Sequence, residues 1–260
     1  MSKLFVLAAI FITQGVEAEI HTETIEYKAG DKVLQGYVTY DAKLATKRPG
    51  VVIVHDWMGM SALVKKKAEE LAQLGYTAFA ADIYGKEVRP KDSQEAGATA
   101  GIYKNNRPLL RERVLAAYQE LRTHKTVDQN KIAAIGFCFG GMTALELARA
   151  GADLKGVVSF HGNLDTPSPG DAKNIKGRLL ILHGADDPYV PATQVAAFEK
   201  EMKDAKVSYQ IEKFPGAVHA FTNPEAGTDN SKGAAYNAQA DEKSQISMRQ
   251  FFNQIFKKKL

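Results

Sequence analysis

The chain has 260 residues, 45% of them apolar and 25% charged, the proportions of an ordinary globular protein with room for one sizeable core. Its single cysteine excludes an intramolecular disulfide. The formal charge of +4 gathers partly in Lys257, Lys258 and Lys259, which read as a solvated helix end; with no interleaving of basic and aromatic residues, nucleic acid is excluded as a partner.

The N-terminus, MSKLFVLAAIFITQGVEA, has one basic residue, an apolar stretch from Leu4 to Ile12 and a small-residue cleavage site at Val16-Glu17-Ala18. That is the pattern of a signal peptide, and the apolar stretch is too short to span a bilayer. Residues 1–18 are therefore predicted to be removed, leaving one domain over 19–260, exported to the periplasm or secreted, with no stable membrane association afterwards. Next, His21 to Tyr40 alternates as two short strands joined at Ala29-Gly30-Asp31, an antiparallel hairpin. The run VVIVHDW is apolar and β-branched, the mark of a strand buried on both faces. A helix over SALVKKKAEELAQLG, a strand over YTAFAADIYG, a polar excursion from Lys86 to Arg107 and a helix over LLRERVLAAYQELRTH come after it. KIAAIGF, KGVVSFHG, GRLLILHG and VSYQIEKF are four further strands, and the segment beginning at Ala234 makes a long closing helix. The alternation predicts an α/β fold, a mostly parallel sheet with helices on both faces.

Ligands of such a sheet bind beyond the carboxyl ends of its strands, so the residues after each strand are the candidates: His55-Asp56-Trp57, Asp82-Ile83-Tyr84, Cys138, His161, Asp186-Asp187 and His219. Gly136-Phe137-Cys138-Phe139-Gly140-Gly141 has the spacing of a nucleophile elbow, with sulfur where serine oxygen is usual. Glycines there let strand and helix pass closely. A helix starting after Cys138 points its positive end at the sulfur and leaves the Phe139 N–H free for an oxyanion. A nucleophile needs a base and a group that orients the base. Either Asp186 or Asp187, then His219, follow in the order nucleophile, acid, histidine. His55, His161 and His183 also follow strands but lack chelating spacing, and neither metal nor cofactor is predicted.

The stretches VVIVHDWMG, AADIYG, IGFCFGG, HGADDPYVP and GAVHAFTNP resemble the dienelactone hydrolase family of α/β-hydrolases over nearly all of the chain after residue 18. The resemblance implies a Cys138-Asp187-His219 triad attacking a small ester or lactone through a thioester; Val190-Pro191 selects Asp187 over Asp186. It places a carboxylate that holds the resting thiol at Asp56, where the family usually has glutamate, and a second oxyanion donor at the Trp57 N–H beside that of Phe139. Trp57 and Tyr84 would line the substrate pocket. Where family members that hold a dienelactone carboxylate carry two arginines, this chain has Lys86 and Asn223, which implies a substrate without that carboxylate. Two other readings remain: a ligand-binding protein of the same fold with a vestigial triad, and a single-thiol redox protein.

Overall fold

The structure, a computed structural model, describes residues 18–256. Residues 1–17 of the predicted leader and the C-terminal lysines lie outside the described residues. Strands β1 (Ile20–Ala29) and β2 (Lys32–Asp41) form the predicted antiparallel hairpin, turning at Gly30 with φ 56°. They are followed by β3 (Arg48–Val54), α1 (Ala62–Gln73), β4 (Thr77–Ala81), α2 (Ser93–Lys104), α3 (Arg107–Thr123), β5 (Val127–Phe137), α4 (Phe139–Arg149) and β6 (Gly156–Phe160). The chain continues through β7 (Arg178–Gly184), α5 (Ala192–Asp204), β8 (Tyr209–Phe214) and α6 (Ala238–Ile255).

These strands make one eight-stranded sheet in the order β1-β2-β4-β3-β5-β6-β7-β8. Only the β1-β2 and β2-β4 pairings are antiparallel. The central strands carry runs such as Val51–Val54 and Ile132–Ile135 that are apolar and buried because helices cover both faces. On one face α2 to α5 bury residues such as Tyr103, Leu110, Leu145 and Phe198. On the other, α1 and α6 bury Leu71, Phe251 and Phe252. Among the described residues no helix is long and apolar enough to cross a membrane.

The fold departs from the sequence reading in two places. The excursion from Lys86 to Arg107 contains α2. Asp92 caps it by accepting the Glu95 N–H at 2.9 Å, while Glu95 reaches back to the Lys91 N–H, a capping-box arrangement able to offset Gly97 and Gly101. The closing helix begins at Ala238 rather than at Ala234, because the Asn237 side chain takes the Ala240 N–H at 3.0 Å and caps it there.

Candidate active site

Parallel strands end on one side of the sheet, so the ends of β5, β7 and β8 meet although the residues following them are far apart in sequence. Between β5 and α4 the chain reverses in a single residue, Cys138, whose φ of 55° lies in the left-handed region. Such a conformation costs about 1–3 kcal/mol and persists only where its surroundings enforce it. The enforcement is visible in the glycines. A Cβ on Gly136 would strike the Gly140 carbonyl, and one on Gly140 would strike the Val54 and His55 carbonyls. Strand and helix can therefore approach this closely only with glycine at both positions.

The turn brings Cys138 Sγ to 3.0 Å from His219 Nε2. His219 Nδ1 is 2.8 Å from Asp187 Oδ2, and the second oxygen of that carboxylate accepts the Tyr189 N–H at 2.8 Å. Asp187 and His219 are buried, whereas Cys138 is half-buried. Asp186 is exposed and instead accepts the Gly216 N–H at 3.0 Å. Burial opposes a charged His219, but the Cys138 sulfur and the Asp187 carboxylate outweigh it and raise the imidazole to about 10. The local electrostatics thus favour an imidazolium beside the sulfur.

Two backbone N–H groups at the strand ends lack acceptors among the described residues. The Phe139 N–H opens α4 and has no intrahelical partner, and the Trp57 N–H has no acceptor among the described residues. Trp57 is held by the Tyr84 hydroxyl, which donates to its carbonyl at 2.9 Å. Trp57 is 39% exposed, and its ring lies against α2 at Gly97. Tyr84 itself is buried, packed against His55 and Phe139.

The other candidates have partners of their own. The Asp56 carboxylate accepts the Met58 N–H at 2.8 Å and is not hydrogen-bonded to Cys138. Burial raises its pKa. Lys86 is drawn to Glu26 on the hairpin at 2.6 Å, and Asn223 caps a short turn through the Glu225 N–H. His55 accepts the Ile83 N–H at 3.3 Å through Nε2. Burial depresses His183 despite the opposing pull of Asp187.

One residue beside His219, and one contact of that histidine, escaped the sequence reading. Tyr189, 53% exposed, sets its ring 5.3 Å from that of His219, nearly perpendicular. Its place in YVP, two residues after the carboxylate, was the available signal. His161, already among the strand-end candidates, packs on His219; what the sequence did not announce is that contact, between residues 58 positions apart.

A nucleophile elbow on a mostly parallel sheet flanked by helices defines the α/β-hydrolase class. The sequence matches the dienelactone hydrolase family over residues 34–256, and the chain belongs to that family. A solved structure titled m3DLH is 35% identical, covers 91% of this chain and 99% of its own, and superposes with a TM-score of 0.88. A dienelactone hydrolase-like promiscuous phosphotriesterase from metagenomic libraries is 37% identical, with 91% and 98% coverage and a TM-score of 0.86. A carboxymethylenebutenolidase homolog from Mus musculus is 26% identical, the match spanning 73% of this chain and 76% of the mouse protein.

Proposed function

We propose that the protein is an exported hydrolase of small esters or lactones, acting through a Cys138-His219-Asp187 triad and a thioester. The observation that carries this reading is the 3.0 Å approach of His219 Nε2 to Cys138 Sγ, with Asp187 behind the ring at 2.8 Å. The thiolate attacks the carbonyl carbon, and the electron pair displaced onto oxygen is held by the Phe139 and Trp57 N–H groups. His219 then gives its Nε2 proton to the leaving alkoxide as the C–O bond breaks. Acylation converts the sulfur into a neutral thioester and so removes the strongest upward influence on His219. The imidazole can now take a proton from water; hydroxide adds to the thioester, the acid leaves, and the thiolate–imidazolium pair returns.

Lys86 is paired with Glu26 and Asn223 is spent on a cap, which supports substrates without a carboxylate near the scissile bond. The export reading rests on the leader residues 1–18. In this proposal residues 19–260 are the mature single domain, Asp56 shapes the turn carrying the Trp57 N–H, and no metal or cofactor takes part.

Rapid mixing with p-nitrophenyl acetate tests the reading. A burst of nitrophenol followed by turnover, lost in Cys138→Ala, supports it. Absence of both burst and turnover in folded protein would replace it with a ligand-binding or thiol-redox role. A substrate panel of a neutral ester, a neutral lactone and a phosphotriester then defines the preferred class, the last included because of the metagenomic relative.

A further inference from the structure

His161 directly follows β6 and is buried. Its ring centroid lies 5.3 Å from that of His219 and 5.0 Å from that of Phe221, in edge-to-face arrangements. Its Nε2 is 2.8 Å from Thr222 Oγ1, which is also buried. Its backbone N–H donates to the Leu182 carbonyl at 2.8 Å, fastening it to β7.

This residue is expensive for the fold. It adopts a left-handed φ of 41° despite carrying a Cβ, a conformation that costs stability unless its surroundings impose it. Its Nδ1 is buried without a hydrogen-bond partner, an exception that calls for a reason. Burial, reinforced by His219, keeps its pKa well below the ordinary histidine value, so the ring is neutral. Phenylalanine would fill the same aromatic stack with no orphaned nitrogen. What imidazole adds is one hydrogen bond, and that bond goes to the loop carrying His219. Thr222 comes three residues after His219, beyond Ala220, which is itself left-handed at φ 56°. A loop holding that conformation needs an anchor on its far side.

We propose that His161 and Thr222 form a positioning pair that ties the His219 loop to the end of β6 and holds the His219 ring in the orientation joining Asp187 to Cys138. The inference rests on the triad reading above. Neutrality suits the role: a cation at this distance would oppose the His219 imidazolium, around which Cys138, Asp187, Asp56 and His183 already set the field. A neutral ring supports the orientation without competing for the proton.

The test compares His161→Phe, Thr222→Val, their double variant and Cys138→Ala, reading kcat and KM on p-nitrophenyl acetate, the alkylation rate of Cys138 by iodoacetamide, and thermal melting. A misoriented base should lower kcat by about ten- to a hundredfold in each single variant while KM stays unchanged. Alkylation should slow in both, and the double variant should be no worse than the poorer single one, because both substitutions break the same tie. Lower melting temperatures with wild-type kcat in the folded fraction, or losses that multiply in the double variant, would overturn the proposal. Should His161→Phe fail to fold, Thr222→Val decides alone, since it exchanges only a hydroxyl for a methyl group. An inactive Cys138→Ala beside fully active pair variants would sink this inference and leave the triad standing; an active Cys138→Ala would sink the triad itself.

Discussion

Ionisable side chains are buried at both ends of α4, and the two ends treat them differently. At the carboxyl end Arg149 is wholly buried, and all its nitrogens are engaged. Nε and Nη2 grip the two oxygens of Glu201 at 2.8 and 2.7 Å, and Nη1 meets Glu146 at 3.0 Å. The other Glu146 oxygen receives Arg111 at 2.8 Å. Each charge there has a counterpart, Asp171 also accepting from Arg111 at 2.6 Å, although Arg111 Nη2 is buried without a partner, and the network joins α3, α4 and α5. At the amino end the Cys138 sulfur has one histidine partner and remains half-buried, and the N–H of the next residue, Phe139, lacks an acceptor among the described residues. Near-complete pairing ties three helices together; on the proposed triad, incomplete satisfaction at the other end leaves the sulfur and the Phe139 N–H available to a substrate. One helix thus carries the proposed nucleophile at one end and this ion-pair network at the other.

Substitution at each end separates the two roles. Cys138→Ala should lower ester hydrolysis by at least about 10⁴-fold, in line with removal of a nucleophile elsewhere, while melting stays near wild type; steady-state assays beside calorimetry check this. Asp187→Asn should lower kcat by about 10²- to 10⁴-fold, since His219 loses its orienting acceptor. The same variant should alter the pH dependence of stability. A histidine raised from 6.5 to about 10 on folding contributes stability that is complete below pH 6.5 and is lost as the pH climbs through about 10. The stability advantage of wild type over Asp187→Asn in urea unfolding should therefore shrink steadily across that window, and an advantage that grew with pH would contradict the assignment.

At the carboxyl end, Glu201→Gln leaves Arg149 buried with half its neutralisation, and breaking a buried pair costs about 3–5 kcal/mol. Urea unfolding should show that loss, while kcat per folded molecule changes far less than for any substitution at the amino end. Lys86→Ala should have the smallest effect. Its pair with Glu26 is solvent-exposed, so KM for a neutral ester should not move; a marked rise would return Lys86 to the substrate pocket.

The sequence by itself determined the α/β class, the hairpin, the elbow at Cys138 and the family. Those features rest on local regularities: apolar runs that suit strands covered on both faces, glycine spacing set by backbone contact, and the order of chemical groups along the chain. It stopped short wherever a choice depended on which side chains meet after folding. Asp186 and Asp187 are neighbours that only the family resemblance at Val190-Pro191 told apart, and the structure turns the second, Asp187, inward to His219. The Asp56 carboxylate follows its own turn to the Met58 N–H, and Lys86 goes to a strand sixty residues upstream. The contact of His161 with His219 and its bond to Thr222 exist only because β6 lies beside β5 and β7 in the sheet. A local pattern records what each segment must do to form its own turn or strand; partners brought together by the crossing of distant segments are decided only when the sheet closes its layers.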